Sequence, residues 1–431
     1  MNVKNRIIDL LNNYKYDKYS NIYLNTYFNA NTINEKEKGF ITEVFYGVIR
    51  NKIFIDYCIN KYTKTVKKKW IESLFSLSIY QAFFMDSDIK GVAWEGTELA
   101  KKKYGVGLSK FINGVLRNVF RNKEEIIKEL KEKEEYDILY SYPKWLYKRL
   151  KESNPEKYLE ILTSYKENGK LSIRVNKLKY TEEEFEKYLQ NNEINILKKV
   201  DTVYYIDSAK ILTSSIFKKG KVIVQDASSY LAARELGAKK GEKVLDVCSA
   251  PGGKSLVIAE IMENEGEILA LDIYEHKIDL IKKNIQKTGA TIIKPKLFDG
   301  SKLEELDMKF DKIILDVPCS GVGVMRKKPE IIYSKSNEGI SKLMEIQRKL
   351  LNSASKVLKV GGEMIYSTCT IIESENTGNI ISFLKNNQNF EVEKIQLEED
   401  VKYTEDEIGG ITIDYRNKCL DGFYMIKLKK K

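Results

Sequence analysis

The sequence predicts a multidomain α and α/β protein. An all-helical front leads into a small α+β module and then a doubly wound, mostly parallel α/β domain. Three observations carry this. Over residues 1–135 apolar side chains recur at helical spacing, and no proline interrupts them before Pro143. Over residues 171–224 short strand-like runs alternate with one helical run. From residue 243 onward strands and helices alternate, the pattern of a parallel sheet with crossover helices. A chain of 431 residues is long enough for two or three domains with large cores. The segments divide as 1–138, 139–224 and 225–431.

Composition excludes several classes. The sequence lacks a run of eighteen apolar residues, so no membrane span is expected. The start, Met1-Asn2-Val3-Lys4-Asn5-Arg6, leads into an amphipathic pattern and not an apolar leader, so a cytoplasmic location is expected. The five cysteines, Cys58, Cys248, Cys319, Cys369 and Cys419, lie far apart without a CxxC pair, and the single histidine is His276. Neither a zinc or other metal site nor a disulfide framework is expected. With one histidine, chemistry falls to Cys, Asp or Lys. The net charge of +11 is uneven: +6 over 1–140, +7 over 141–240 and −2 over 241–431. A polyanion such as nucleic acid meeting the front of the chain explains that gradient. A general abundance of Lys, Asn and Ile is the plainer explanation.

In the front segment the helical faces read Ile7, Leu10, Leu11; Phe40, Val44, Phe45, Val48; and Ile71, Leu74, Leu77. Ser73, Ser76 and Ser78 read as solvated or back-bonded helix residues. On chemistry alone Lys67-Lys68-Lys69 and Lys101-Lys102-Lys103 are solvated faces. Residues 123–135, mostly Lys and Glu, form an exposed helix end or linker. Tyr142-Pro143-Lys144-Trp145-Leu146 opens a new segment, with Trp145 in a core or junction. In the module, Leu171–Val175, Val203–Ile206 and Lys221–Val224 are strands, and Thr181–Leu189 is a helix. Thr181 is its N-cap, with Glu184 at capping-box spacing.

Two stretches of the front, Glu43-Val44-Phe45-Tyr46-Gly47-Val48-Ile49-Arg50 and Phe111-Ile112-Asn113-Gly114-Val115-Leu116-Arg117-Asn118-Val119, resemble the NusB-like RNA-binding helical domain. The likeness includes Glu98-Leu99-Ala100-Lys101-Lys102-Lys103-Tyr104-Gly105. That domain stands at the N-terminus of the bacterial Sun (RsmB) rRNA methyltransferases. The module is similar to the RRM-like module that precedes their catalytic domain, and Arg174 and Asn176 sit in a motif typical of it. From the residues alone these two make a packing salt bridge or a cap. Gln225-Asp226-Ala227-Ser228-Ser229 marks entry to the catalytic domain.

The strands predicted there are Lys243–Val247, Glu267–Ile273, Thr291–Leu297, Lys312–Val317, Glu363–Ser367, Phe390–Ile395 and Phe423–Leu428. The last, with no helix after it, suits an antiparallel edge. The first runs into Cys248-Ser249-Ala250-Pro251-Gly252-Gly253-Lys254, a tight turn that opens a helix. Open α/β sheets bind ligands at such turns. The pattern is neither GxGxxG nor GxxxxGK[ST], so neither a dinucleotide nor a triphosphate is expected. Asp272 ends the second strand, where an acid commonly accepts from ribose hydroxyls or caps the next helix. Asp299 ends the third, in reach of an adenine edge. The fourth ends Asp316-Val317-Pro318-Cys319-Ser320-Gly321-Val322-Gly323 and the fifth Tyr366-Ser367-Thr368-Cys369-Thr370. Each cysteine alone reads as a small buried residue. Together, at neighbouring strand ends beside an Asp and the Gly turn, they read as a reactive pair.

This set is similar to the RNA 5-methylcytosine methyltransferases: Asp246–Lys254, Asp272, Asp299, Asp316-Val317-Pro318-Cys319, Ser367-Thr368-Cys369 and the closing Asp421-Gly422-Phe423-Tyr424. With the front domain, the likeness spans nearly the whole chain and points to the Sun (RsmB) branch. It implies a Rossmann-like fold and S-adenosyl-L-methionine as methyl donor, held by Cys248, Ser249, Ala250, Pro251, Gly252, Gly253, Lys254, Asp272, Asp299 and Asp316. It implies carbon 5 of a cytosine in 16S rRNA as target, with the basic N-terminal domains on the RNA. Cys369 becomes the nucleophile and Cys319 the residue that assists release; spacing alone does not separate them. Asp316 holds the cytosine edge, and Lys254 orients or neutralises groups beside it. Arg326, Lys327 and Lys328 read either as phosphate contacts or as a solvated loop. Ser249 stands where Ala is common, a sterically harmless change. Asn417-Lys418-Cys419 stands where relatives carry Pro and His, with Cys419 incidental. A monomer is expected, since no oligomer seam is visible.

Other functions compete. A non-catalytic RNA-binding or assembly factor would need only the front domain and neither thiol. A cytosine-5 methyltransferase could act on another RNA. A methyltransferase of DNA or protein is disfavoured by the basic front and the Thr-Cys motif.

Overall fold

The computed structural model describes residues 2–63, 68–85 and 87–431. They form two compact units, Met1–Lys166 with Lys328–Lys335, and Glu167–Lys327 with Ser336–Lys431.

The first unit is helical. Its principal helices are Val3–Asn13, Ser20–Ala30, Glu35–Arg50, Lys52–Tyr62, Lys69–Phe84, Ile89–Tyr104, Val106–Arg121 and Lys123–Glu132. Helix starts are set by side-chain caps: Asn34 accepts from the Glu37 N–H, and Asp88 from those of Lys90 and Gly91. Helix Lys69–Phe84 is buried almost all round, and Leu74 and Phe75 pack with Phe45, Ile112 and Leu116 in one core. Ser76 bonds back to the Glu72 carbonyl, as its helical setting predicts, yet Ser73, Ser76 and Ser78 are buried and not solvated. Lys67 lies outside the described residues; Lys101, Lys102 and Lys103 are exposed. Trp145 is half-buried on helix Lys144–Ser153. The inserted segment 328–335 is anchored through Glu330, which is 3% exposed and accepts from the backbone and hydroxyl of Ser20 at 3.0 and 2.7 Å. The Tyr333 hydroxyl donates to the Ile49 carbonyl.

The second unit holds two sheets. In the smaller, β1 (Leu171–Val175), β2 (Ile196–Val200), β3 (Val203–Ile206) and β4 (Val222–Val224) are antiparallel in the order β2-β3-β1-β4. The sequence reading missed β2, an edge strand whose Ile196 and Leu197 are exposed and show no alternation. The capping box at Thr181 forms as predicted, with Thr181 Oγ1 accepting from the Glu184 N–H and Glu184 Oε2 from that of Thr181.

The larger sheet comprises β5 (Lys243–Asp246), β6 (Glu267–Asp272), β7 (Ile293–Leu297), β8 (Phe310–Asp316), β9 (Leu358–Thr368), β10 (Phe390–Glu393), β11 (Tyr403–Glu405), β12 (Ile411–Ile413) and β13 (Phe423–Lys430). Its order is β11-β12-β13-β9-β8-β5-β6-β7, with β10 also on β13. Strands β5 to β9 are parallel. Successive residues of β8 serve opposite layers. Ile314 packs with Val257 and Met425, while Ile313 and Leu315 pack with Leu351 and Tyr366. The chain leaves β5 towards β6 on one side and reaches β8 on the other, which makes the C-terminal ends of β5 and β8 a topological switch point. β13 is antiparallel as predicted, but it is not an edge: β12 and β10 pair along its outer side. Three-residue strands with polar members, such as Tyr403-Thr404-Glu405, are too short for periodicity to reveal.

The small module is fastened within this unit by Arg174. Fully buried, it donates to Gln225 Oε1 and, at 2.5 Å, to Glu260 Oε2 on helix Gly253–Ile261. Asn176 Nδ2 donates to the Gly220 and Thr288 carbonyls. Both residues therefore make packing contacts.

Candidate active site

β5 ends at Asp246, and the turn Cys248–Gly252 follows at the switch point. Its shape is set by backbone bonds: the Ser249 N–H donates to the Leu271 carbonyl and the Gly252 N–H to the Ser249 carbonyl. Gly252 has φ +98°, a left-handed conformation that favours glycine, and it starts helix Gly253–Ile261. A cavity of about 190 Å³ opens here, bounded by Asp246, Cys248, Ser249, Ala250, Pro251, Gly253, Lys254 and Asp316, with Val224, Gln225, Asp226 and Ser229 opposite.

Asp246 is buried, and Oδ2 accepts from Ser255 Oγ at 2.6 Å while Oδ1 has no partner. Burial pushes its carboxyl up to about 6, against the Ser255 hydrogen bond. Ser249 Oγ lies 2.9 Å from Ser255 Oγ, so the serine at this position extends that chain and is more than a tolerated substitute. Burial raises the Cys248 thiol as well.

The first turn of the helix aims Lys254 at the end of β8. Lys254 Nζ lies 2.7 Å from Asp316 Oδ2, and Ser367 Oγ donates to Asp316 Oδ1 at 2.9 Å. Asp316 and Ser367 are register partners on the parallel strands β8 and β9. Asp272, at the end of β6, is buried; Oδ1 accepts from the Tyr274 N–H, and Lys277 lies 3.4 Å from Oδ2. Asp299 caps the turn after β7 by accepting from the Ser301 N–H, which lowers its carboxyl pKa. Asp272, Asp299, Cys319 and Cys369 do not line the cavity beside the turn.

The strand-end cysteines do meet. Cys319 Sγ and Cys369 Sγ are 3.4 Å apart, and both residues are half-buried. The hydrogen bond to Cys369 and, after it, burial raise the Cys319 pKa well above the ordinary thiol range, so Cys319 keeps its proton. The two loops are tied beneath the thiols. Glu375 Oε1 accepts from the Ser320 N–H and from Gln347 Nε2, which also donates to the Pro318 carbonyl. Ser320 Oγ and Thr370 Oγ1 are 2.7 Å apart. The Gly323 N–H donates to the Cys369 carbonyl, and the Gly422 N–H to the Gly323 carbonyl. A Cβ at Gly323 would lie 2.0 Å from the Gly422 oxygen and 3.0 Å from that of Cys369.

Ser367, Glu375, Gln347 and Gly323 were not singled out from the sequence. Ser367 and Gly323 stood inside recognised motifs, but their partners come from other strands. Glu375 and Gln347 carried no local signal.

Arg326 and Lys327 differ from both readings given above. Arg326 is 1% exposed and donates to the carbonyls of Tyr415, Asn417 and Leu420. Lys327 Nζ bridges Asp226 at 2.5 Å and Asp421 at 3.0 Å. Neither is a phosphate contact or a solvated loop residue, because a charge run does not reveal carboxylates and carbonyls folded over it. Lys328 belongs to the first unit, where its ammonium lies over the Tyr19 ring. Among the described residues no group of three or more His, Cys, Asp or Glu could hold a metal, and no helix is long and apolar enough to cross a membrane.

Comparison with known proteins agrees along the whole chain. Residues 233–429 match the family model described as 16S rRNA methyltransferase RsmB/F, residues 1–121 the NusB family, and residues 142–208 the RsmF/B-like ferredoxin-like domain. The Bacillus subtilis (strain 168) protein named "Probable ribosomal RNA small subunit methyltransferase B" is 33% identical over 96% of this chain and 95% of its own. The Klebsiella pneumoniae (strain 342) protein named "Ribosomal RNA small subunit methyltransferase B" is 31% identical over 82% of each. The crystal structure of PH0851 superposes with a TM-score of 0.83 at 26% identity, covering 100% of this chain and 99% of that one. The helical front, the ferredoxin-like module and the strand-end motifs thus coincide in one known arrangement, and the chain belongs to the RsmB/F family of rRNA methyltransferases.

Proposed function

We propose that the protein methylates carbon 5 of a cytosine in 16S rRNA through a covalent adduct to Cys369, with S-adenosyl-L-methionine as donor. The observation that carries this is the pair of thiols 3.4 Å apart at the ends of β8 and β9, beside the Lys254–Asp316 pair. The relatives' names supply the small-subunit rRNA.

The chain's own residues fit the donor. The Gly252 turn brings backbone close to a ligand, and the buried Asp246 Oδ1 beneath it has no partner. Cys248–Lys254 and Asp316 would hold the donor, with Asp272 at the ribose and Asp299 at the adenine. When bound, S-adenosyl-L-methionine supplies an electrophilic methyl group.

Carbon 5 of cytosine is a weak nucleophile. Addition of the Cys369 thiolate to carbon 6 forms an S–C6 bond and moves the ring's electron pair onto carbon 5, which then accepts the methyl. Asp316 holds the cytosine edge, through the amino group or a protonated ring nitrogen, and Lys254 with Ser367 fixes its carboxylate. A base then takes the carbon 5 proton, the freed electron pair re-forms the C5–C6 double bond, and the S–C6 bond breaks with its pair returning to the Cys369 thiolate. Cys319 is placed to assist that step. The hydrogen bond to the Cys369 sulfur and burial both raise its pKa; bonding of that sulfur to carbon 6 weakens the first of these, and the Cys319 sulfur, once ionised, can take the carbon 5 proton. The target base must leave any stacked helix to reach the pair.

The test uses 16S rRNA carrying tritium at cytosine carbon 5. Donor-dependent tritium release, absent with DNA or with protein substrates, is expected. Methylation of the rRNA without tritium release would contradict the carbon 5 assignment, and RNA binding without methyl transfer would favour an assembly factor.

A further inference from the structure

The geometry points to a second RNA-binding site on the catalytic unit: a lysine groove that holds the phosphodiester backbone of the substrate. It rests on the rRNA reading above. The groove, about 500 Å³, is lined by Lys179, Lys218, Lys219, Lys221, Gln286 and Lys287, with no carboxylate. Among the described residues none of the five lysines forms an ion pair. Elsewhere in this unit lysines commonly do, as with Lys240 to Glu263, Lys356 to Glu304 and Lys359 to Asp311. Five like charges around one groove repel one another and weaken the fold unless an anion is present.

The groove is held in shape. One wall is the loop between helix Ser215–Lys218 and β4, and the other is the end of helix Glu275–Thr288. Asn176 Nδ2 bonds both walls, through the Gly220 and Thr288 carbonyls. A Cβ at Gly220, which has φ +69°, would lie 2.2 Å from the Lys287 oxygen, so the walls meet too closely for any other residue. The ammonium groups of Lys221 and Lys287 stand over the Tyr180 and Phe217 rings, at 4.3 and 3.9 Å from the centroids, which limits their wandering. Helix C-terminal carbonyls account for Lys179, which donates to the Lys287 oxygen. They do not account for Lys219 and Lys221 on the facing loop, which follows Lys218 at the end of its short helix.

An extended polyanion fits an open groove with several separate ammonium groups. One helical turn before Lys287, Asn284 Nδ2 donates to the Pro251 carbonyl. The helix that carries the groove therefore also braces the turn beside the Asp316 cavity.

The test compares the wild type with Lys218→Gln/Lys219→Gln/Lys221→Gln and with the control Lys240→Gln/Lys356→Gln/Lys359→Gln, which removes the same charge from ion-paired lysines. Binding of an unmodified 16S rRNA transcript is titrated between about 50 and 200 mM salt. The groove variant is expected to lose about 10- to 100-fold in affinity at low salt, and about 2 to 3 from the slope of log K on log salt. The control is expected to change several-fold less, and donor affinity to be unchanged in all three. Equal losses in the two variants, or none in either, would overturn the site. Titration with inorganic phosphate separates a small-anion site: tight phosphate binding lost in the groove variant, with RNA binding intact, would also overturn it. A wild type that binds the transcript but transfers no methyl would refute the proposed reaction while leaving this comparison readable.

Discussion

Cys319 and Cys369 are fifty residues apart in the chain, just beyond the ends of β8 and β9, yet their sulfurs lie 3.4 Å apart. Parallel pairing of β8 with β9 places Asp316 opposite Ser367, so the residues that follow each strand converge. The pair is therefore a product of sheet register, and it is held by the loops beneath it.

Gly323→Ala tests that support. The added methyl meets the Gly422 carbonyl at 2.0 Å and the Cys369 carbonyl at 3.0 Å, so the loop from Cys319 to Gly323 or the segment around Gly422 must move. Overpacking of this kind costs about 1–3 kcal/mol. The expected result is a lower denaturation midpoint together with loss of methyl transfer; full activity at wild-type stability would show that the loop yields freely.

Lys254→Met leaves Asp316 with Ser367 alone on its carboxylate. Single-turnover methyl transfer is expected to fall about 100-fold, in line with the loss of one positioned polar group at a reacting centre. Equilibrium binding of the rRNA should change little. A comparable fall in RNA affinity would move Lys254 from the reaction to substrate binding.

The sequence showed these chemical groups more clearly than their supports. The Gly turn, Asp316 and both cysteines are legible because each follows or ends an apolar strand run, and Lys254 because it opens the helix after the turn. What holds them was hidden: Gln347 reaches the Pro318 carbonyl from helix Asn337–Val357, and Glu375 reaches the Ser320 N–H from beyond β9. Such contacts depend on packing between distant segments and have no local period. Arg326 and Lys327 were misread for the same reason, since their partners arrive from residues 226 and 415–421. The hydrophobic pattern gave the parallel strands but not β2, β11 or β12, which are exposed or only three residues long.

Arg174→Ala is expected to destabilise the second unit by about 3–5 kcal/mol, because it leaves the Glu260 carboxylate, whose side chain is 7% exposed, without its cation. Urea denaturation of Arg174→Ala, Glu260→Ala and the double variant checks this. The double variant should be less damaged than the sum of the singles; strict additivity would mean the pair does not interact.

Asp421 gives a pH dependence. Burial and then the neighbouring Asp226 push its carboxyl up to about 7, from 3.8 in the unfolded chain, although Lys327 opposes them. Between these values the folded state binds more protons than the unfolded state, so this group's contribution to stability falls as pH rises from about 4 to about 7. Asp246, pushed up to about 6, adds a fall of the same sign. Denaturation midpoints taken at pH 5, 6, 7 and 8 should show a shallower decline for Asp421→Asn than for the wild type, whatever the variant's absolute stability. Parallel curves would place the Asp421 pKa near its ordinary value.

The most direct measurement is a denaturing gel of wild type, Cys319→Ala and Cys369→Ala after incubation with unmodified 16S rRNA and S-adenosyl-L-methionine. Cys319→Ala should form a denaturation-resistant protein–RNA adduct, because it can attack carbon 6 but cannot release the product efficiently. Wild type should turn over without accumulating it, and Cys369→Ala should form none. An adduct with Cys369→Ala and none with Cys319→Ala would exchange the two roles. Methyl transfer by Cys369→Ala at the wild-type rate would contradict the covalent mechanism altogether.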